Sequence, residues 1–337
     1  MRSEQSIKSQ PYVVIQGLSR MTLYVARLDR FKRRFASRLW LLLLIFPLTV
    51  VVLSWLLTAP LNDASKPKSV GAGLSAVQIK EHGGKQVDLE KAKASAEWPL
   101  VRLEGRAAKL VLLDVLVAAA ERLDRVDGYT ATFHKQERIK GRLGPPQTLS
   151  MKLRHHPFAI YFKFLSPVEG KEVVYADGQR GNKMIAHSAG AARFLVPRLA
   201  LPPDHPIALA DSRHAVTDAG IVNLTARLIH YRQLDLDDPM ATTVLDRVKD
   251  ARGQSRLRSI HAHPHPQPDR PFARVEVLYD PHTFFPVDIR NFDWPQDENA
   301  GDLLLAEHYA YENIQTNVTL GPLDFDPSNP EYQFQRY

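Results

Sequence analysis

His261, His263 and His265 place three imidazoles at alternate positions of a proline-rich segment, with Asp269 shortly after them. Alternate side chains of an extended chain point to the same side, and imidazole is a common ligand of Zn²⁺ and Ni²⁺. A proline-rich segment is equally typical of a connecting loop with hydrated histidines. Because no carboxylate or cysteine stands at ligand spacing, we assign no metal and no cofactor, and a metal-dependent enzyme remains an alternative.

Lys135, Glu137 and Arg138 interrupt the apolar alternation of a predicted strand. Charged groups among apolar neighbours indicate a buried ion pair, the polar end of a ligand pocket, or a strand end that emerges into solvent. The adjacent His155 and His156 suit either proton transfer or the edge of a turn. These alternatives stay open at the level of the sequence.

Signatures of catalysis are missing from the sequence. Ser188 and Ser212 are candidate nucleophiles, but neither lies in a G-x-S-x-G motif. The acidic stretches 235–238 and 324–326 lack the glycine and glutamate of a calcium-binding EF-hand loop, and no G-x-G-x-x-G or P-loop occurs. We therefore predict that the protein is not an enzyme.

The positive charge of the chain lies at its N-terminus. Residues 1–38 hold nine Lys or Arg and two acidic residues, which accounts for the whole net charge of +7. The remaining residues carry equal numbers of acidic and basic side chains, so composition gives no support for nucleic-acid binding. The absence of cysteine excludes disulfides and thiolate metal sites.

Residues 39–57 form an apolar run without a charge. At about 1.5 Å per residue, this run spans roughly 28 Å as a helix, close to the thickness of a bilayer core. Trp40 and Trp55 lie near its two ends, and the basic cluster before it predicts an N-in orientation. A cleaved signal peptide is the alternative. We predict a single-pass inner-membrane protein whose main domain lies in the periplasm.

Charge, hydrophobicity and the spacing of apolar residues together predict four regions along the chain. They are a cytoplasmic basic segment (1–38), a transmembrane helix (39–57), a flexible linker (58–105) and an exported domain (106–337). In that domain, helical spacing predicts one helix over 106–127 and a second from an N-cap at Thr217. About ten short alternating segments predict antiparallel strands, the last five at 243–248, 255–261, 273–279, 287–292 and 303–314.

These elements predict an α+β, mostly β fold, a strongly curved antiparallel sheet whose concave side is covered by helices. Before Pro157 the apolar residues of one strand alternate with polar ones, and after it Ile160, Phe162 and Phe164 alternate with Tyr161 and Lys163. This alternation predicts strands with one apolar face and one polar, hydrated face. We expect such apolar faces to form either a closed core or a cavity for a hydrophobic ligand. The predicted cavity residues are Phe133, Met151, Leu153, Phe162, Phe164, Ile221, Leu224, Leu228, Val275, Val277 and Ile289.

Four stretches carry a resemblance to known proteins: FHKQERIKG, LRHHPFAIYFKFLSP, SRHAVTDAGIVNL and DFDPSNPEY. They resemble a bacterial family of envelope proteins catalogued as a domain of unknown function, over roughly residues 107–337. Further motifs resemble the LolA/LolB-like superfamily of periplasmic lipoprotein carriers, which includes the sigma-regulating RseB proteins. These motifs are Y-x-A-x-F at Tyr129, Ala131 and Phe133, F-P-x-x-I at Phe285, Pro286 and Ile289, and F-x-P at Phe325 and Pro327.

The resemblance implies a LolA-like half-barrel that binds a lipid or a lipoprotein acyl chain. The alternative that it implies is an RseB-like sensor that contacts an envelope protein partner and has no role in transport. Lipoprotein carriers are soluble shuttles, whereas this chain is predicted to be tethered to the membrane by its own helix. We therefore expect a membrane-side binding protein for a hydrophobic ligand, with the sensor as the alternative.

Overall fold

The computed structural model describes residues 97–188, 198–267, 269–295 and 302–335, all of which belong to a unit of residues 69–337. The predicted basic segment, the predicted transmembrane helix and most of the predicted linker lie outside the described residues. Among the residues described, no helix is both long and apolar enough to cross a membrane. Folded contacts precede residue 106, since the buried Trp98 donates its indole N–H to the Asp246 carbonyl at 3.0 Å.

The described residues form two helices and thirteen strands. The helices are α1 (Gly105–Leu123) and α2 (Ile221–Leu234). The strands are β1 (Leu103–Glu104), β2 (Gly128–Ile139), β3 (Arg142–Leu143), β4 (Gln147–Arg154), β5 (Ala159–Ser166), β6 (Glu172–Ala176), β7 (Met184–His187), β8 (Leu199–Leu201), β9 (Thr242–Lys249), β10 (Ser255–Ala262), β11 (Arg274–Tyr279), β12 (Pro286–Asp293) and β13 (Leu304–Gln315).

All thirteen strands belong to one antiparallel sheet. Its order is β1-β9-β10-β11-β12-β13-β2-β4-β5-β6-β7-β8, with β3 paired to β2. The two end strands, β1 and β8, are not neighbours, so the sheet is not closed into a barrel. The predicted α+β, mostly β class with two helices is therefore confirmed, while the half-barrel curvature stays a prediction.

One face of the sheet carries the large apolar side chains. Phe133 of β2 lies opposite Leu149 of β4, which lies opposite Phe164 of β5. Since side chains alternate between faces along a strand, this pairing places apolar residues of successive strands in rows on one side. Leu112 and Leu116 of α1 pack into the same hydrophobic cluster. Burial of each large apolar side chain contributes about 1.5–3 kcal/mol to the stability of the folded domain.

The opposite face of β5 is covered as well, contrary to the expectation of a polar, hydrated face. Tyr161 is buried because Tyr332 of the C-terminal tail stacks on it, with ring centroids 3.9 Å apart and planes at 5°. Lys152 of β4 pairs with Asp324 of the tail at 2.7 Å. Apart from two short 3-10 turns, the described part of the tail has no regular structure, and it forms a second small hydrophobic cluster with this face.

Helix α2 begins three residues later than predicted. Thr217 lies in a short 3-10 turn, and the N-cap is Gly220, whose φ is +109°. A side chain at Gly220 would place its Cβ 2.7 Å from the Leu153 side chain, so this position requires glycine. The Tyr129 hydroxyl accepts a hydrogen bond from the Ile221 amide at 3.0 Å, which fixes the start of the helix on the sheet.

Candidate functional site

The eleven predicted cavity residues all belong to one hydrophobic cluster. Ten of them are buried, and Val275 is partly buried and packs against the others. The rings of Phe133 and Phe162, for example, stack with centroids 5.7 Å apart. A ligand could therefore reach these side chains only if part of the surrounding structure moved. Their assignment to a ligand cavity stays a prediction.

The cover over this cluster differs from one part of the sheet to another. The helices make their most extensive contacts with each other and with β1, β9 and β12. Residues 201–219 also lie against the cluster, through Ala208, Val216 and Ala219. We call residues 201–219 the cover segment. Apart from the end of β8 and one 3-10 turn it has no regular structure, and none of its residues is itself buried.

Two buried glutamates connect the cover segment to the sheet. Glu137 of β2 accepts hydrogen bonds from Lys135 Nζ at 3.0 Å and from the Tyr309 hydroxyl at 2.5 Å. Glu307 of β13 accepts from Asn291 Nδ2 at 2.7 Å. Two side chains of the cover segment contact Glu307: the Arg213 guanidinium lies 3.0 Å from its carboxylate, and His214 Nε2 lies 2.8 Å from it. The Arg213 amide donates a hydrogen bond to Glu137 at 3.3 Å. The Ser212 hydroxyl accepts one from Lys135 Nζ at 3.2 Å. We call this set the two-glutamate cluster.

Hydrogen bonds keep the Glu307 carboxylate charged. Burial by itself raises the pKa of Glu307, but hydrogen bonds from His214 and Asn291 and the charge of Arg213 outweigh burial and leave this pKa below its ordinary value. Burial and the two carboxylates together raise the pKa of Tyr309, so its hydroxyl stays a donor. Of the readings left open for Lys135 and Glu137, the structure shows a buried ion pair, and Glu137 does not emerge into solvent.

A second buried cluster forms where α2 ends. Asp235, the C-cap of α2, points its Oδ2 at His261 Nε2 (2.9 Å) and at His263 Nε2 (3.3 Å). Its Oδ1 accepts a hydrogen bond from Arg270 Nε at 2.6 Å, and Arg232 Nη2 lies 3.9 Å from Oδ2. The Thr243 hydroxyl lies 2.8 Å from His261 Nδ1. We call Asp235, His261, His263, Arg232 and Arg270 the His–Asp cluster.

The reading of a hydrated histidine loop is wrong for His261 and His263, which are buried, and holds for the exposed His265. The exposed Asp269 is not part of the cluster, and its place is taken by Asp235, far upstream. Burial and the nearby Arg232 lower the pKa of His261 to about 3, so its ring is neutral. Only the polarity of the stretch 235–238 marked Asp235 in the sequence.

Two other candidates, His155 and Asp324, have structural partners. His155 is buried, and its Nδ1 lies 2.6 Å from the Val126 carbonyl oxygen. The ring centroids of His155 and His156 are 6.5 Å apart. Asp324 pairs with Lys152 and accepts a hydrogen bond from the Gly321 amide.

A polar cleft of about 550 Å³ lies beside the first turn of α1 and is lined in part by Arg106, Lys109 and Asp238. Lys109 donates to the carbonyls of Asp235 and Asp238 there.

The described residues thus define an α+β domain with an open antiparallel sheet, covered on its apolar face by two helices and one irregular segment. A family model described as "Protein of unknown function (DUF1571)" matches residues 126–334. Because the match covers more than half of the chain, the protein belongs to this family. This membership confirms the resemblance to a family of unknown function. No curated protein matches the chain in sequence.

Solved structures similar to the chain include the following three. A putative outer membrane lipoprotein-sorting protein domain from Vibrio parahaemolyticus is 12% identical, with 63% of this chain and 95% of that chain covered and a TM-score of 0.30. A LolA superfamily protein from Nitrosomonas europaea is 8% identical (63% and 96% covered, TM-score 0.27). MucB in the Pseudomonas aeruginosa MucA/MucB complex is 16% identical (64% and 60% covered, TM-score 0.33).

Proposed function

We propose that the protein is a membrane-anchored envelope protein that binds a hydrophobic ligand, a lipid or a lipoprotein acyl chain, between the sheet and the cover segment. Residues 39–57 would anchor it with the N-terminus in the cytoplasm, and the sheet domain would face the periplasm. The ligand would contact the apolar rows of β2, β4 and β5, which include Phe133, Met151 and Phe162.

The observation that carries this proposal is the incomplete burial of the cover segment. Its residues lie against a cluster of buried aromatic and aliphatic side chains, yet none of residues 201–219 is buried. Its residues are at best half-buried, whereas the inner faces of α1 and α2 are fully buried, so the segment gains less hydrophobic free energy from staying in place than the helices do. It can therefore move at a lower cost than either helix and open the apolar face.

The two-glutamate cluster supports the same proposal as the fixed point of that movement. Ser212, Arg213 and His214 are the residues by which the cover segment contacts Glu137, Glu307 and Lys135 of the sheet. The side chain of His214 is 34% exposed. Because water can reach the donor of this contact, the contact stabilises the position of the segment by only about 0–1 kcal/mol. The segment is thus held in one position without being held permanently.

The free energy of ligand binding would come from transferred apolar surface. An acyl chain gains about 0.8 kcal/mol for each buried CH₂ group. The net gain is smaller, because the ligand replaces contacts that the cover segment and the cluster already make. Such binding needs no directed polar group, which agrees with the absence of a catalytic or cofactor motif from the sequence.

A photoreactive fatty acid tests the proposal in intact membranes. Cells that make the full-length chain are supplied with a diazirine-labelled fatty acid and irradiated, and the attachment sites are mapped by peptide mass spectrometry. We expect attachment to peptides that contain β4, β5 and the cover segment. Attachment confined to residues 39–57, or to no part of the chain, would contradict the proposal.

A pair of neighbouring substitutions provides the matched control. Phe162→Asp removes an apolar side chain from the cluster, whereas Leu165→Asp alters the same strand at a position that is 43% exposed. We expect the first to abolish attachment at β4 and β5 and the second to retain it, with both variants keeping a β-rich circular dichroism spectrum. If Phe162→Asp prevents folding and the wild type shows no attachment at β5, Phe162 belongs to a closed core.

The proposed topology can be tested because the chain contains no cysteine. Arg142 is exposed at the end of β3, so Arg142→Cys gives one accessible thiol on a cysteine-free background. We expect a membrane-impermeant maleimide to label this thiol in cells whose outer membrane is permeabilised. Labelling only after the inner membrane is lysed would place the domain in the cytoplasm.

A further inference from the structure

The His–Asp cluster brings three metal-binding groups together inside the fold. Asp235, His261 and His263 each offer one ligand atom, and these atoms all lie within 4.8 Å of one another. All three residues are buried. Two imidazoles and one carboxylate form a donor set that divalent transition metals favour. This cluster lies at the end of α2, and the ligand cavity proposed above has no need of it.

The positions of the three groups are set by regular structure. His261 lies on β10, between β9 and β11, and the His263 amide donates to the Ala273 carbonyl at 2.9 Å. Asp235 caps α2 and its amide donates to the Tyr231 carbonyl. Ligands held by a sheet and a helix end keep their separation without an ion, which lowers the cost of arranging them for binding.

The surrounding groups match what a metal site needs around its ligands. The Thr243 hydroxyl can accept a hydrogen bond from His261 Nδ1, which leaves Nε2 as the metal-binding atom. Arg270 binds the Oδ1 atom of Asp235 and leaves Oδ2 facing the two imidazoles. His263 Nδ1, in contrast, is buried without a hydrogen-bond partner among the described residues, so its second ring nitrogen is not oriented in this way. A cavity of about 20 Å³, lined by Arg232, His263 and Arg270, is large enough for one water molecule.

The two arginines limit which ion can bind. Arg232 and Arg270 bring two positive charges near one carboxylate, so a hard cation such as Mg²⁺ or Ca²⁺ would find too little negative charge. An ion that bonds strongly to imidazole tolerates this environment better. From this arrangement we infer that Asp235, His261 and His263 bind a divalent transition-metal ion of the zinc class, with water as a further ligand.

The inference is tested on the full-length chain purified without a polyhistidine tag, which would itself bind metal. The chain is stripped with a chelator, equilibrated with Zn²⁺ and dialysed, and its zinc content is measured by mass spectrometry. We expect one zinc per chain in the wild type and in His265→Ala, the exposed neighbour in the same motif, and a loss of at least tenfold in affinity for His263→Ala. A wild type that retains no zinc would overturn the inference, as would equal losses in the two variants.

Titration with Co²⁺ keeps the test valid if His263→Ala does not fold. In the wild type we expect the intense visible absorption of cobalt with nitrogen and oxygen ligands, saturating at one equivalent and displaced by Zn²⁺. A spectrum that stays that of hydrated Co²⁺ would show the cluster to be an ion-pair network only. Because Arg232 opposes the ion, Arg232→Met should raise the affinity about tenfold or more, and an unchanged affinity would contradict the proposed charge balance.

Discussion

The His–Asp cluster and the two-glutamate cluster both bury carboxylates, but they connect different kinds of structure. Asp235 lies between a helix end and a central strand, where its partners His261 and Arg232 are buried as well. Glu307 lies on a strand, and its partners Arg213 and His214 come from the cover segment. The first cluster joins the end of a helix to a strand and the residues that follow it, whereas the second joins two strands to the irregular segment that we propose can move.

This difference decides what each cluster can do. A buried carboxylate with buried partners loses much free energy when one partner is removed, because an unpaired charge is left inside the protein. Such a cluster holds its geometry and suits a ligand that needs fixed positions. A carboxylate whose partner is partly hydrated loses less when that partner leaves. Such a cluster suits a contact that opens and closes.

The largest effect is expected at Asp235. Asp235→Asn leaves the buried Arg232 and the half-buried Arg270 without their carboxylate, and we expect the free energy of unfolding to fall by about 3–5 kcal/mol. Urea unfolding of the metal-free chain, followed by circular dichroism, measures this change. Asp269→Asn, at an exposed position of the same region, should change it by less than about 0.5 kcal/mol. Equal effects of the two substitutions would remove the contrast between the clusters.

Tyr309→Phe should have an intermediate effect on the two-glutamate cluster. The substitution removes the hydroxyl that donates to Glu137 at 2.5 Å but keeps the ring that stacks on Phe133. A buried carboxylate that loses one donor destabilises a protein by about 1–3 kcal/mol. The same urea measurement checks the value, and a cost equal to that of Asp235→Asn would show that this cluster is as rigid as the other.

Acid should weaken the two-glutamate cluster through Glu307. The folded pKa of Glu307 lies below its ordinary value of 4.5, so its contribution is fully present above pH 4.5 and is lost as the pH falls through the folded pKa. Each unit by which the pKa is lowered corresponds to about 1.4 kcal/mol. Unfolding measured from pH 7 to pH 3 should show a steeper loss of stability in the wild type than in Glu307→Gln. Parallel curves would mean that Glu307 contributes nothing to acid sensitivity.

The smallest effect on global stability, and the most local one, is expected at His214. His214→Ala should cost less than about 1 kcal/mol, because the His214 side chain is partly hydrated, yet it should speed hydrogen exchange in residues 201–219 and uptake of the fatty-acid probe. His308→Ala is the control. His308 lies on the same strand as Glu307, β13, but it pairs with Asp288 of β12 at 2.9 Å and does not reach the cover segment. Identical exchange rates in the two variants would contradict the role assigned to the cover segment.

Local patterns predicted most of the strands and one helix closely. Predicted strands at 255–261 and 287–292 correspond to β10 and β12 within a residue at each end, because alternation with a period of two is a property of each segment by itself. The start of α2 was missed because Gly220 meets Leu153, a residue of a distant strand. The prediction of a hydrated face on β5 is wrong for a similar reason, since the tail that covers Tyr161 lies more than 160 residues further along the chain.

The α+β class, the apolar rows, the family resemblance and the absence of cysteine chemistry all follow from the amino-acid sequence. Which charged residues meet follows from the folded chain: Glu137 and Glu307 contact residues 212–214, and Asp235 contacts His261 and His263. Alternation along a strand depends on neighbours one and two residues away, so it can be read from the sequence. The meeting of side chains far apart in sequence depends on strand order and on the path of irregular segments, which no local pattern encodes.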